Sequence, residues 1–108
     1  MCDPYCKTSN FACKAGVKEF RVASEDGPCK GEDGHAVRGE PGCKLACGNL
    51  VGVDVSKYAV NGWDHSPGCF YYKKNQICHW NWNHKGQWTH PMVQEVCQRG
   101  ETYWILVQ

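Results

Sequence analysis

Apolar residues recur along this chain with two different periods. From Lys18 to Ser24 they alternate with charged residues, and Phe20 and Val22 fall on one side, which predicts a strand. Between Pro41 and Val51, Cys43, Ala46, Cys47 and Leu50 stand at i, i+3, i+4 and i+7. Two sulfurs and two apolar groups thus share one helical face. Pro41 suits the first turn of this helix and Gly52 its exit. Gly48 inside it costs about 1 kcal/mol relative to Ala, which leaves the helix dependent on its cross-links. From Cys69 to Trp82 the strand formers Phe70-Tyr71-Tyr72 and Ile77-Cys78-His79-Trp80-Asn81-Trp82 flank the polar Lys73-Lys74-Asn75-Gln76, the pattern of a hairpin. With Tyr72 opposite Ile77, Tyr71 meets Cys78 and Cys69 meets Trp80. One face then carries Cys69, Tyr71, Cys78, Trp80 and Trp82, and the other Phe70, Tyr72, Ile77, His79 and Asn81.

The other segments are less periodic. Residues 1–16 are Cys-rich and polar. Glu25 to Gly42 holds five glycines and two prolines, and its Glu-Asp-Gly repeats lack the alternating ligands and terminal Glu of a calcium-binding EF loop, so it reads as a solvated loop. Val53 to Ser66 reads as a connection, Asn83 to Met92 as a loop dense in His and Trp, and Val93–Gln98 and Thr102–Val107 as two last strands. The expected fold is α+β: a small disulfide-rich domain with one helix packed on a short antiparallel sheet. The whole chain, 1–108, forms one domain, with residues 1–16 as an N-terminal extension, 18–98 as the body and 99–108 as a C-terminal strand.

Composition sharpens this picture. Only ten valines, three leucines, two isoleucines and three phenylalanines are available for a core, against nine cysteines in 108 residues. A core this thin contributes little net stability, and each disulfide typically adds ~2–4 kcal/mol. Twelve basic against eleven acidic side chains leave a formal charge of +1, without the basic stripe of a nucleic-acid binder. No apolar stretch reaches the ~20 residues of a membrane span. No apolar leader segment follows Met1, so the chain reads as a mature form, and its cysteine density as extracellular.

The cysteines stand at 2, 6, 13, 29, 43, 47, 69, 78 and 97, with no Cys-x-x-Cys among them. Zinc ribbons, thioredoxin-type motifs and haem attachment therefore lose their signature. A closed zinc site from Cys43, Cys47 and a distant His is the minor reading, and disulfides the main one. Nine is odd, so at least one thiol is left over or pairs with another chain, with the group Cys2, Cys6 and Cys13 the first place to look.

A helix with Cys43 and Cys47 separated by three residues, then Cys69 opening an aromatic strand and Cys78 in its partner, resembles the PAN/apple modules of extracellular proteins. The likeness spans roughly residues 18–98. Pro67-Gly68-Cys69-Phe70-Tyr71-Tyr72, Trp80-Asn81 and Val96-Cys97 are also similar to Cys-rich extracellular modules of algae and other protists. Length and cysteine density are similar to those of secreted protist pheromones and small toxins. The PAN/apple resemblance implies that Cys43 bridges Cys78, that Cys47 bridges Cys69, and that Cys97 closes on Cys29 or Cys13.

For function, His65, His79, His84 and His90 lie close in sequence, interleaved with Trp80, Trp82 and Trp88 and preceded by Trp63. Imidazoles suit zinc or copper, yet no helical His pair or His-Glu-x-x-His occurs, so loop residues and a hydrogen-bonded His79 are the plainer reading. Aromatic faces stack on sugars or anchor protein partners. On this ground Trp63, Tyr72, His79, Trp82, His84 and Trp88 are the candidate ligand-binding residues, with Trp80 assigned to the core. Catalysis finds no nucleophile elbow and no phosphate loop, and no cofactor is implied. The expectation is a secreted, non-enzymatic recognition module for a protein or glycan. A diffusible signal engaging a receptor, and a metal site built by the His cluster, are the alternatives.

Overall fold

In a computed structural model the chain is described over residues 11–15, 19–99 and 102–106, the first and last of these stretches as backbone only. Among these residues eight strands and one α-helix follow in the order β1 (Phe11–Ala15), β2 (Glu19–Val22), β3 (His35–Ala36), α1 (Glu40–Cys47), β4 (Lys57–Asn61), β5 (Gly68–Tyr72), β6 (Ile77–Asn81), β7 (Val93–Arg99) and β8 (Thr102–Leu106). The domain is α+β and disulfide-rich, as the sequence predicts. Its sheet is larger than expected and mixed rather than purely antiparallel. Six strands form it in the order β2-β7-β5-β6-β4, with β3 also paired to β7, and β4 runs parallel to β6. Strands β1 and β8 form a separate antiparallel pair.

The hairpin β5–β6 has the expected register: Tyr72 faces Ile77, Tyr71 faces Cys78 and Cys69 faces Trp80. That register sends Cys69, Tyr71 and Cys78 to one side, where they pack with Phe20, Val37, Cys43, Ala46, Cys47 and Val96. Helix α1 covers this side. It is shorter than its periodicity predicts: it ends at Cys47, Gly48 and Asn49 close its last turn, and the Asn49 amide caps the Leu45 carbonyl at 2.8 Å. Past Gly48, Leu50 leaves the helix and bridges to Phe20. The missing Cβ at Gly48 and the capping Asn favour termination over a further turn.

The segment 53–66, read from sequence as a connection, contains β4. Its residues alternate only weakly in burial, because it is an edge strand whose Val60 stays exposed. The parallel partner β6 lies well along the chain, and short-range patterning does not reveal such a pairing.

Among the described residues three disulfides hold the layers together. Cys29–Cys97 is one of the two closures expected for Cys97. The helix cysteines bond to the hairpin as expected, but with partners exchanged: Cys43 to Cys69 and Cys47 to Cys78. Two cysteines one helical turn apart, about 6 Å, can each reach either of two strands about 4.8 Å apart. Which turn meets which strand depends on the direction in which the helix crosses the sheet, a tertiary property. The sulfurs of Cys2, Cys6 and Cys13, where a left-over thiol was expected, lie outside the described residues.

The opposite side of the sheet is also covered, by loops instead of a helix. Phe70 and Val93 are fully buried there, and His79 and Glu95 flank Phe70 on the neighbouring strands. The backbone N–H of Cys29 donates to the Glu95 carboxylate at 2.9 Å, tying the loop after β2 to this face. Gly34 is required at its turn into β3: its φ is +96°, and a Cβ there would overlap the Gln98 carbonyl.

Candidate functional site

The loop-covered face gathers Trp63, His65, Phe70, Tyr72, His79, Trp88 and His90, and three asparagines place them. Asn81, fully buried at the end of β6, turns its amide NH2 toward three backbone carbonyls, Trp63 at 3.0 Å, His65 at 2.8 Å and Ser66 at 3.0 Å. Its own carbonyl accepts the Asn83 N–H at 3.0 Å. One NH2 has two protons for three acceptors, so the bonds are shared, and the segment 63–66 is stapled to the sheet. Asn61, the last residue of β4, accepts the Trp63 N–H and donates to His79 Nδ1 at 2.9 Å. Asn83 closes the next turn by accepting the Lys85 N–H. Gly86 then passes so close to the backbone of Asp64 and His65 that a Cβ would overlap it. Ser66, fully buried with φ +56°, bonds the Gln87 carbonyl through its N–H and holds the two loops together. A left-handed conformation at a buried non-Gly residue persists only where its surroundings over-determine it.

Trp63 is the hub of the resulting cluster. Its ring centroid lies 4.9 Å from His79, 5.1 Å from His65, 5.5 Å from Phe70 and 6.3 Å from Tyr72, the last edge-on. His65 and His90 stack at 4.6 Å with their planes 20° apart, and His90 meets Tyr72 edge-on at 5.5 Å. Together Gly62, Trp63, Asp64, His65, Tyr72 and His90 line an open hollow of about 480 Å³. His90 Nδ1 donates to the Pro91 carbonyl at 2.7 Å, which leaves its Nε2 lone pair free of that bond. Burial and the neighbouring His90 hold the His65 imidazole below its usual range, with Asp64 acting in the opposite sense. The hollow therefore combines aromatic faces, a carboxylate and two imidazoles.

Of the six residues proposed from sequence, two line the hollow: Trp63 and Tyr72. His79, expected on an open face, is only 5 % exposed. It stacks on Phe70 at 4.7 Å beneath Trp63, with its pKa depressed by burial, and secondarily by Lys57, to about 4. The strand alternation gave its side correctly, but the loop that folds back over that side is not written in the alternation. Trp88, expected at the surface, is half-buried and packs edge-on to Phe70 at 6.4 Å. Trp82 is 60 % exposed and lies over Gly62, whose Cβ would overlap its ring. Trp82 and the exposed His84 are not among the residues that line the hollow. Trp80, assigned to the core, is half-buried against it.

Sequence reasoning passed over Asp64, His65 and His90 as ligand-binding residues. The signal was present: His65 and His90 belong to the same imidazole cluster considered for a metal. Asn81 was read only as a strand position. Its substitution by Ala should strand three carbonyls and cost about 2 kcal/mol. Chemical denaturation reads that loss, and a change below a few tenths of a kcal/mol would show that water replaces the staple.

The fold and this hollow define a disulfide-stabilised α+β domain with an aromatic and histidine surface site. Compared with family models, with curated proteins and with solved structures, the chain matches none.

Proposed function

We propose that the chain is a secreted recognition module without catalytic activity, and that it binds a glycan in the hollow bounded by Trp63, Asp64, His65, Tyr72 and His90. The juxtaposition of ring faces and edges with one carboxylate in an open, small-ligand-sized hollow carries this reading. Ring faces offer stacking surface to the C–H face of a sugar, and Asp64 with the two imidazoles offers hydrogen bonds to hydroxyls. The rings are held by backbone staples and mutual packing, so little conformational freedom is lost when a ligand arrives. The three disulfides are compatible with an oxidising, extracellular setting. Among the described residues no helix is long and apolar enough to cross a membrane.

The test is a glycan array, followed by titration calorimetry of the best binder. Tyr72→Ala should weaken binding by at least about 1 kcal/mol while costing less stability than a core truncation, because Tyr72 is only half-buried. His84→Ala should bind as the unaltered chain does. An array without binders, or a Tyr72→Ala variant of unchanged affinity, would refute the assignment of this hollow.

A further inference from the structure

Beneath the opposite face of the sheet the sulfurs of Cys43, Cys47 and Cys69 form one compact group, with the Cys78 sulfur bonded to Cys47 at its margin. Besides the two covalent pairs, Cys47 Sγ lies 3.9 Å from Cys43 Sγ and 3.9 Å from Cys69 Sγ. Those separations match an edge of a tetrahedral zinc tetrathiolate: a Zn–S length of about 2.3 Å sets sulfurs about 3.8 Å apart. Among the described residues, Cys43, Cys47 and Cys69 are the group of three ligand-type side chains that converges, with sulfurs within 4.8 Å of one another. Cys78, joined to Cys47, supplies the fourth sulfur. The supporting elements are rigid, one helix and two adjacent strands.

Two surrounding features fit a second, reduced state. Cys47, 4 % exposed, lines a surface hollow of about 440 Å³ together with Lys44, Lys57, Tyr58 and the single carboxylate Asp54. Reductant and metal can approach the Cys47–Cys78 bond there, and two ammonium groups favour the thiolates that reduction releases. Tyr58, paired in register with Cys78, lines the same hollow and carries a buried hydroxyl without a hydrogen-bond partner. A thiolate sulfur is an acceptor that such a donor lacks in the disulfide form.

We propose that the reduced chain binds one Zn²⁺ through Cys43, Cys47, Cys69 and Cys78, so that the two disulfides and the metal centre are alternative cross-links of the same four sulfurs. Two equivalents of a dithiol each deliver two electrons and two protons to one protein disulfide and become disulfides themselves. Zn²⁺ then displaces the four thiol protons and bonds to four thiolates, closing the helix onto the hairpin as the disulfides do.

The experiment reduces the 108-residue chain with dithiothreitol, desalts it without oxygen and titrates it with Co²⁺. One Co²⁺ per chain is expected, with the visible bands of tetrahedral cobalt and a sulfur-to-cobalt charge-transfer intensity of four thiolates. Zn²⁺ should displace the colour and leave the far-ultraviolet circular dichroism of the oxidised protein in place. Cys2→Ser/Cys6→Ser/Cys13→Ser, made together, should retain the four-thiolate spectrum, and Cys43→Ser/Cys78→Ser should lose it. The proposal fails if the reduced chain takes up no Co²⁺. It fails equally if the four-thiolate spectrum disappears in the N-terminal triple variant or survives in Cys43→Ser/Cys78→Ser.

Discussion

Full reduction in chelator-treated, metal-free buffer will unfold the body of the domain, and the Cys29–Cys97 bridge will make the largest single contribution. This bond joins residues 68 apart in sequence, against 26 for Cys43–Cys69 and 31 for Cys47–Cys78. On loop-closure entropy the longest link restricts the unfolded chain by about 4 kcal/mol and the others by somewhat less. A domain of this size has only ~5–15 kcal/mol in total. The apolar reserve is thin, and the buried core is built largely from the cystines themselves, with Phe20, Val37, Ala46, Tyr71 and Val96 around two of them. Cys29→Ser/Cys97→Ser should therefore lower stability by about 4 kcal/mol in urea denaturation. It should also loosen the loop that carries the Cys29 N–H to Glu95. A fully reduced, metal-free chain with an unshifted thermal midpoint would show that side-chain packing alone carries the fold.

Acidification should destabilise the domain through His79, by about 3 kcal/mol between pH 6.5 and pH 4. In the fold the imidazole titrates at about 4, because burial under Trp63 and, secondarily, the Lys57 ammonium disfavour its charged form. Unfolded, it titrates near its ordinary value of 6.5. Between those two values the unfolded chain binds a proton that the native state refuses, so stability falls as the pH falls through this window. Well above pH 6.5, where the unfolded imidazole is neutral too, the group contributes nothing to the pH dependence. Asn61 donates to Nδ1, which fixes the neutral tautomer with its proton on Nε2, and that N–H is buried without a partner. His79→Phe keeps a ring against Phe70 and removes both the titration and the orphan donor. It also leaves the Asn61 NH2 without its acceptor, so the variant should stay within about 1 kcal/mol of the unaltered chain at pH 7.5 and lose most of its acid sensitivity. Burial pushes the Glu95 carboxyl up, which works in the opposite sense, lowering stability as pH rises through its titration. Comparing the two proteins cancels that contribution. Identical acid slopes in urea melts at pH 7, 5.5 and 4.5 would exclude His79 as the origin.

Local pattern carried far in this chain. Period-two alternation determined the hairpin register, and with it the separation of Cys69, Tyr71 and Cys78 from Phe70 and His79. The i, i+3, i+4, i+7 spacing placed Cys43, Ala46 and Cys47 on the buried face of α1. These features were legible because one residue's neighbours along the chain suffice to set its side. The far face was not legible in the same way. Nothing in the alternation of β6 says that Trp63 folds back over His79, since the contact joins residues 16 positions apart through a loop.

The asparagines show the same division. The positions of Asn61, Asn81 and Asn83 are plain in the sequence, but their acceptors are backbone carbonyls and a ring nitrogen on other segments. His65 and His90, visible as members of a histidine cluster, become a stacked pair where the two loops meet, at the bond from Ser66 to the Gln87 carbonyl. The sequence by itself determined the class of fold, the reliance on cystines, the helix face and the hairpin register, because periodicity and composition act locally. Only the tertiary structure decided which helix cysteine meets which strand, that β4 joins β6 in parallel, and which aromatics are walls of the hollow and which are its floor. Those outcomes depend on the crossing direction of a helix and on loop closure, and both are settled by the packing of segments distant in sequence.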